Sequence, residues 1–136
     1  MIIMPKIDIY TDGASRGNPG PAACGFAVYA DGVEIFTGKK YLGTATNNFA
    51  EYTAVIEAAK CPLVADAPEI NFFMDSELIV KQMTGIYRVK HPDMIMLKQQ
   101  LDSILAGKKV TFTHVRRELN KTADRLANEA IDEAHK

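Results

Sequence analysis

The sequence contains no tryptophan, only two cysteines and a net charge of -1. Cys24 and Cys61 stand far apart, with no CxxC spacing and no histidine cluster, so neither a disulfide framework nor a zinc site is indicated. We expect both to be small buried residues in a reducing cytoplasm. Because the net charge gives no global basic field, a polyanion would have to meet a local patch or bound cations.

The sequence also lacks any uncharged stretch long enough to cross a bilayer. Its start, MIIMPKIDIY, has too short an apolar run and too few basic residues for a signal peptide, so we expect no membrane partner. The 136 residues are 47% hydrophobic and 24% charged, which is typical of one globular domain covering residues 1–136.

The first part of the chain has the periodicity of β-strands. Residues 6–12 alternate between apolar and polar side chains, and residues 23–30 and 33–41 are two further β-rich runs. The Asp31-Gly32 pair between the last two runs is a strong signal for a tight hairpin. These features predict a three-strand antiparallel meander.

The remaining elements follow from changes in this period. A first helix covers TNNFAEYTAVIEAAK, a short apolar strand at 70–74 is expected to be covered on both faces, and DSELIVKQM leaves it as a helix. A helix over 93–106 has Asp93 as its N-cap, and a last strand at 110–115 precedes a helix from Asn120. The last helix carries an apolar stripe formed by Ala123, Leu126, Ala127, Ala130, Ile131 and Ala134.

The resulting order of elements, βββαβααβα, combines a meander with strands that are entered from helices. It predicts an α/β fold with a five-stranded mixed sheet, in which a three-strand antiparallel meander is joined by two parallel strands. Helices flank this sheet. No internal repeat, low-complexity segment or linker interrupts it.

Four carboxylates fall at the predicted ends of elements, and these are Asp12, Glu51, Asp75 and Asp124. Each has an ordinary structural explanation. Asp12 ends the first strand before a glycine in a turn-like pair, and Asn48 with Glu51 fits a capping box. Asp75 is placed to cap its helix, and Asp124 suits the dipole of the last helix. Taken one at a time, these explanations are favoured.

The joint placement of the carboxylates favours a metal site. If the strands ending at Asp12 and Asp75 are parallel neighbours, both carboxylates emerge at one sheet edge, where the helix starts carrying the other two can also lie. Like charges gathered there repel unless a cation lies among them. Oxygen ligation without His or Cys suits Mg²⁺ or Mn²⁺, and four carboxylates can hold two such ions about 4 Å apart for phosphoryl displacement.

In these segments the sequence resembles the type 1 ribonuclease H family over nearly its whole length. That family's four acidic motifs are matched, in order and at fitting spacings, by YTDGASRGNPGPAACG, TNNFAEYTAVIEA, FMDSELIVKQM and NKTADRLANEA. The resemblance implies a ribonuclease H-like fold and endonucleolytic cleavage of the RNA strand of RNA–DNA hybrids, leaving 5′-phosphate and 3′-hydroxyl ends. It also implies two Mg²⁺ or Mn²⁺ ions, with Asp12, Glu51, Asp75 and Asp124 as ligands.

The resemblance further indicates where the substrate is contacted. The 2′-hydroxyl is the group that lets a protein tell RNA from DNA, so small polar side chains near the metal edge are expected to reach it. By resemblance, Asn18 in the first loop and Asn47 and Asn48 at the start of the first helix match family positions that touch the minor groove. Asn48 keeps its interpretation as an N-cap beside this role.

The loop before the last helix departs from the family pattern. Many family members carry a catalytic His in a longer loop there, whereas this chain has the short segment VRRELN. His114 alternates with Val110 and Phe112, so we expect a packed residue of the last strand. Arg117 resembles an Arg of short-loop relatives and could hold a phosphate oxygen. A solvated arginine is the ordinary alternative.

A second departure lies in GIYRVKHPDM, where larger relatives insert a helix and a basic handle containing Trp. Tyr87, Arg88 and Lys90 form at most a reduced patch here, so we expect weaker and more salt-sensitive hybrid binding. These residues are equally interpreted as a solvated loop. The missing handle leaves room for relaxed substrate choice, including double-stranded RNA, which shares A-form shape and 2′-hydroxyls.

Two other classes of function remain open at this point. A catalytically weak or inactive nucleic-acid-binding module would keep the fold and use the acidic edge only for binding, although the presence of all four carboxylates argues against it. Another nuclease or recombinase on the same fold is the third class, although such proteins are not expected to keep GNPGP and TNN together. We expect a monomer in each case.

Overall fold

The computed structural model describes residues 6–136, so residues 1–5, part of the segment considered for a signal peptide, lie outside the described range. The chain begins with the predicted meander of β1 (Ile7–Ser15), β2 (Gly20–Ala30) and β3 (Val33–Ala45). Asp31 and Gly32 have φ values of 51° and 78°, the left-handed pair that a tight hairpin requires. The predicted hairpin is therefore confirmed.

Two parallel strands complete the sheet. β4 (Glu69–Met74) pairs with β1, and β5 (Lys109–His114) pairs with β4, which gives the order β3-β2-β1-β4-β5. This confirms the predicted five-stranded mixed sheet, with the meander antiparallel and two strands parallel. The central strand is β1, where the antiparallel and parallel halves meet.

The helices follow the predicted order with one addition. They are α1 (Asn47–Ala59), α2 (Pro62–Ala65), α3 (Glu77–Met83), α4 (Pro92–Leu105) and α5 (Lys121–Ala134), with a short 3₁₀ turn at Arg117–Leu119. The short helix α2 was not predicted, because a proline directly after the first helix is equally typical of a helix end. Proline at the first helical position begins a helix without losing a hydrogen bond, and here it begins α2. None of the helices within 6–136 has the length and apolar character needed to cross a bilayer.

The hydrophobic core lies between one face of the sheet and α1, α3 and α4. Its fully buried members include Ile9, Val28, Tyr52, Phe72 and Leu101. On the other face α5 packs against β1, β2 and β3. The prediction that 70–74 is covered on both faces is wrong, because its burial alternates along the strand and only the face toward the core is closed.

The N-cap of α1 is Thr46, so the prediction that Asn48 caps this helix is wrong. Thr46 Oγ1 accepts a hydrogen bond from the backbone N–H of Phe49 at 3.1 Å. Asn48 lies inside the first turn instead, and its side chain is exposed. Glu51 is therefore not part of a capping box, and its carboxylate is free for another role.

Asp75 also does not cap its helix. Ser76 is the N-cap of α3, and its Oγ accepts a hydrogen bond from the backbone N–H of Ile79 at 3.3 Å. Asp75 precedes the cap, at the point where β4 has ended. The capping role that the sequence allowed for Asp75 is therefore taken by Ser76, and the Asp75 carboxylate is not used as a cap.

Two further predictions, which concern helices α4 and α5, are also wrong. The N-cap of α4 is His91 rather than Asp93, because His91 Nδ1 accepts from the backbone N–H of Asp93 at 3.1 Å. The apolar stripe of α5 is buried from Ala123 to Ile131, whereas Ala134 at the end of the helix is exposed. The end of the helix meets β3 through polar contacts instead, namely the Lys39–Glu133 ion pair and the contact of the Tyr41 ring with His135.

Candidate metal centre

Asp12 in β1 and Asp75 directly after β4 occupy equivalent positions along two neighbouring parallel strands, as the sequence predicted. The last pair of residues in register between β1 and β4 is Tyr10 with Phe73, and each aspartate follows two residues later. The prediction that Asp12 ends its strand is wrong, because β1 continues to Ser15. Its antiparallel ladder with β2 extends beyond the parallel ladder with β4.

Glu51 reaches the same edge because α1 packs directly against β1. A Cβ atom on Gly13 would lie 2.3 Å from the backbone carbon of Ala50 and 2.3 Å from the backbone nitrogen of Glu51. Only a residue without a side chain permits this approach of helix backbone to strand backbone. The glycine after Asp12 therefore sets the distance between two of the carboxylates.

Asp124 is brought to this edge in the same way by a second glycine. A Cβ atom on Gly25 would lie 2.6 Å from the carbonyl oxygen of Ala123 and 2.7 Å from the backbone nitrogen of Ala127. Gly25 pairs with Asp12 across β1 and β2, so α5 rests on the sheet beside the first carboxylate. Asp124 follows Ala123 in the first turn of α5.

These four side chains line one open cavity of about 430 Å³. Asp12, Glu51 and Asp75 each offer an oxygen atom within 4.8 Å of the others. Asp124 lines the cavity but does not belong to this close group of three. Asp12 and Glu51 are buried, with exposed fractions of 5% and 4%.

The electrostatics of the cluster are unfavourable to full ionisation. Burial raises the pKa of Asp12 to about 8, and the neighbouring carboxyls of Asp75 and Asp124 act in the same direction. Burial, followed by the charge of Asp12, raises the pKa of Glu51 well above its usual value. Glu51 Oε2 is buried with no hydrogen-bond partner within residues 6–136. The cluster is therefore short of positive charge.

The residues present fit a hard divalent cation. All of the clustered donors are carboxylate oxygens, which Mg²⁺ and Mn²⁺ prefer over the nitrogen and sulfur donors of zinc sites. No ion pair in the described part of the chain involves any of the four acidic side chains. A cation among them would remove the repulsion and supply a partner for the buried oxygen of Glu51.

The three asparagines lie next to the acidic cavity. Asn47 lines that cavity, whereas Asn18 and Asn48 line a neighbouring one of about 530 Å³. Asn18 Oδ1 accepts a hydrogen bond from the backbone N–H of Asn47 at 2.8 Å, which ties the first loop to the start of α1. The first loop and the start of α1 are therefore held together beside the carboxylates.

Arg117 lines the acidic cavity, and His114 does not. Arg117 begins the 3₁₀ turn and is exposed. Its backbone carbonyl accepts from the Asn120 N–H at 3.0 Å, whereas its side chain makes no hydrogen bond to another residue of the described chain. His114 belongs to β5, as expected, but it is the last residue of that strand and is exposed. The prediction of a packed side chain is wrong, because β5 is an edge strand and His114 stands at its exposed end.

The connection between α3 and α4 contains no helix. Tyr87, Arg88 and Lys90 are exposed there, and the Lys81 ammonium group donates a hydrogen bond to the hydroxyl of Tyr87 at 3.4 Å. The absence of an inserted handle within this part of the described chain is as the sequence predicted. The patch carries at most the two positive charges of its own arginine and lysine.

Three residues that support the carboxylates were missed by the sequence analysis. The buried amide of Asn120 donates to the carbonyl oxygen of Thr11 at 2.9 Å and to Asp75 Oδ2 at 3.4 Å. Arg16 and Asn128 line the acidic cavity and contact each other. Their positions within the acidic motifs are the only sequence signal that could have identified them.

Comparison with known proteins gives one consistent family. The family model described as RNase H matches residues 4–132. Ribonuclease HI of Halobacterium salinarum (strain ATCC 700922 / JCM 11081 / NRC-1) is 42% identical over 131 residues, which cover 95% of this chain and 66% of that protein. The bifunctional protein Rv2228c of Mycobacterium tuberculosis (strain ATCC 25618 / H37Rv) is 42% identical over 132 residues, which cover 95% of this chain and 36% of that protein. The chain thus spans less than two thirds of the length of these curated relatives.

Solved structures give the same result. The crystal structure of LC11-RNase H1 in complex with RNA/DNA hybrid is 40% identical in sequence and superposes with a TM-score of 0.91, over 96% of this chain and 99% of that chain. RNase H1 from Halobacterium salinarum NRC-1 is 41% identical with a TM-score of 0.89, over 94% of this chain and 98% of that chain.

Proposed function

Because the chain belongs to the RNase H family, we propose that it is a metal-dependent endonuclease that cleaves the RNA strand of RNA–DNA hybrids. The observation that carries this proposal is the close group of Asp12, Glu51 and Asp75, with Asp124 lining the same cavity. The hybrid present in the LC11-RNase H1 structure supports the choice of substrate.

The four carboxylates are proposed to hold two Mg²⁺ or Mn²⁺ ions. Divalent ions bound there supply the chemistry of hydrolysis, since they lower the pKa of water and stabilise charge that develops on a phosphate. The products are proposed to carry 5′-phosphate and 3′-hydroxyl ends. The unpartnered oxygen of Glu51 and the raised pKa of Asp12 support this assignment, because both indicate a missing positive charge.

The chain's own residues orient the reacting groups. The backbone N–H of Gly13 donates to Asp12 Oδ1 at 3.0 Å, and the Asn120 amide donates to Asp75, so these two carboxylates have fixed directions. The guanidinium of Arg117 is always protonated, so its proposed role is to hold a phosphate oxygen and not to accept a proton. His114, which does not line the cavity, has no proposed part in proton transfer.

Recognition of the RNA strand is proposed to use Asn18, Asn47 and Asn48. Their amides are neutral donors and acceptors next to the acidic cavity, which suits the sugar hydroxyls of a minor groove. Double-stranded RNA presents the same hydroxyls in an A-form helix, so we propose it as a second, weaker substrate. The connection between α3 and α4 offers no handle that would select a DNA strand.

The proposed setting is a monomeric single domain of residues 1–136 acting in the cytoplasm. All five strands belong to one sheet, which supports a single domain. Both cysteines are buried and unpaired, which is typical of a reducing compartment. Light scattering of the purified protein measures the oligomeric state, and a dimer would contradict this part of the proposal.

The proposal is tested by cleavage of labelled RNA–DNA hybrid, RNA duplex and DNA duplex in Mg²⁺ and in Mn²⁺. We expect cleavage of the hybrid, weaker cleavage of the RNA duplex and none of the DNA duplex. Asp12→Asn is expected to lower the rate by more than about 100-fold, because loss of a ligand exceeds the effect of losing an outer partner. Asp8→Asn, which makes the same change on the same strand outside the cavity, is the matched control.

The alternative of a nucleic-acid-binding module makes a different prediction. Tight binding of hybrid without product in either metal would favour the module over the enzyme. Equal cleavage by wild type and Asp12→Asn would refute the assignment of the acidic cavity as the active site. Loss of activity in the Asp8→Asn control would show that the Asp12 result reflects disruption of β1.

A further inference from the structure

The carboxylate of Asp124 is held by a side chain one helical turn later. Asn128 Nδ2 donates to Asp124 Oδ1 at 3.3 Å and to the carbonyl oxygen of Asp124 at 3.0 Å. Asp124 is the one member of the acidic set that lies outside the close group of three, and Asn128 is the residue that hydrogen-bonds its carboxylate. Both residues lie on the face of α5 that lines the acidic cavity.

The orientation of the Asn128 amide is fixed from its other end by Arg16. Arg16 Nη2 contacts Asn128 Oδ1 at 3.2 Å and the Asn128 carbonyl oxygen at 3.4 Å. A guanidinium group can only donate hydrogen bonds, so the amide oxygen must face Arg16. The amide nitrogen must then face Asp124, whose carboxylate can accept from it.

Arg16 is in turn anchored on the next turn of α5. Arg16 Nη1 lies 2.7 Å from Asp132 Oδ1, which forms an ion pair between the first loop and the helix. The chain of contacts therefore runs from Asp132 through Arg16 and Asn128 to Asp124. It joins the loop that carries Asn18 to the helix that carries the fourth carboxylate.

We propose that Asn128 is a positioning residue that directs the carboxylate of Asp124 toward the metal centre, and that Arg16 acts through Asn128. This inference rests on the proposed function, since it concerns the same acidic cavity. Partners of this kind hydrogen-bond a ligating carboxylate and fix its direction before the cation arrives. An asparagine suits the position, because it must accept from an arginine and donate to a carboxylate at once.

The test measures Mn²⁺ binding by calorimetry in the absence of nucleic acid, together with the metal-free melting temperature. Asn128→Ala is expected to weaken Mn²⁺ binding by about 10-fold, the lower end of the range for outer partners. Alanine favours helix, so the metal-free melting temperature is expected to stay close to that of the wild type. Arg16→Met is expected to weaken binding by about threefold, since the amide retains its own bonds to Asp124.

A double variant separates a positioning chain from independent contributions. If Arg16 acts through Asn128, Arg16→Met is expected to add nothing to Mn²⁺ binding once Asn128→Ala is present. Lys39→Met is the matched control, because Lys39 also ties α5 to the sheet by ion pairs, with Glu129 at 3.3 Å and Glu133 at 2.6 Å. Lys39 does not line the acidic cavity, and this control is expected to bind Mn²⁺ as the wild type does.

Three results would overturn the inference. These are wild-type Mn²⁺ binding by a folded Asn128→Ala variant, full additivity in the double variant, or equal weakening by Lys39→Met. If the first of these results comes with a lowered metal-free melting temperature, the role of Asn128 is purely structural. If the wild type binds Mn²⁺ but cleaves no hybrid, the proposed function fails while the binding data still decide this inference.

Discussion

Replacing Asp12 with asparagine is predicted to stabilise the metal-free protein while it removes activity. In the folded chain burial and neighbouring carboxyls raise the pKa of Asp12 from 3.8 to about 8. The unfolded chain releases this proton near pH 4, whereas the folded chain retains it. The folded state therefore binds more protons across this range, and its free energy of unfolding falls as the pH rises from about 4 to about 8.

The magnitude follows from the same shift. Between pH 3.8, where the unfolded chain releases the proton, and pH 7, the penalty grows to the order of 4 kcal/mol, at about 1.4 kcal/mol for each pH unit. Asparagine keeps the oxygen that accepts from the Gly13 N–H but carries no charge, so the penalty disappears. A gain of this size would raise the melting temperature by roughly 15 °C for a domain of this length.

The assay is thermal or urea unfolding in EDTA at a series of pH values between 4 and 8. The stability difference between Asp12→Asn and the wild type is expected to be small near pH 4 and to grow toward pH 8. Asp8→Asn is the control, because Asp8 lies outside the cluster and accepts a hydrogen bond from Asn71. Equal or lower stability of Asp12→Asn at pH 8, or a difference that does not change with pH, would refute the reasoning.

Three further predictions concern packing and substrate contact. Gly25→Ala is expected to cost about 1 to 3 kcal/mol or more in urea unfolding, because its Cβ would lie 2.6 Å from the Ala123 carbonyl. In Gly32→Ala the added Cβ would meet no atom within 4 Å. This variant is expected to lose only about 1 to 2 kcal/mol of unfolding free energy, the cost of a left-handed backbone at a residue other than glycine. Arg117→Met is expected to raise KM for the hybrid and to reduce the slope of log binding constant against log salt concentration by about one. Arg116 lies outside the acidic cavity, so Arg116→Met is expected to change KM less.

The sequence predicted the architecture because its signals are local. Alternation along the first strands and the Asp31-Gly32 pair specify the meander without any long-range information. The parallel pairing of β1 with β4 then places Asp12 and Asp75 at one edge, as the order of elements implied. The family resemblance added the substrate and the metals, which no periodicity contains.

The helix caps were less predictable, because several residues at each start could cap equally well. Thr46 and Asn48 are both favourable N-cap types, and the choice between them depends on where the backbone leaves β3. Asp75 and Ser76 present the same ambiguity, which the structure resolves in favour of Ser76. These small shifts matter, because they decide which carboxylates are free to meet a cation.

The contacts that assemble the site could not be predicted from the sequence, because they join distant segments. Arg16 meets Asn128 across 112 residues and Asp132 across 116 residues. Gly13 and Gly25 are ordinary strand glycines until the helix backbones that pack on them are known. The exposure of His114 likewise depends on β5 being an edge strand, which only the assembled sheet shows.

The central claim, that the acidic cavity cleaves the RNA strand of a hybrid with bound divalent cations, is tested most directly by one measurement. Wild type and Asp75→Asn are incubated with a hybrid whose two strands carry different labels, in Mn²⁺ and in EDTA. We predict internal cuts that leave 5′-phosphate ends, and we predict them in the RNA strand alone. They are expected when the wild type is incubated with Mn²⁺, and not in EDTA or with Asp75→Asn. Cuts in the DNA strand, cleavage in EDTA, or equal cleavage by Asp75→Asn would contradict the account.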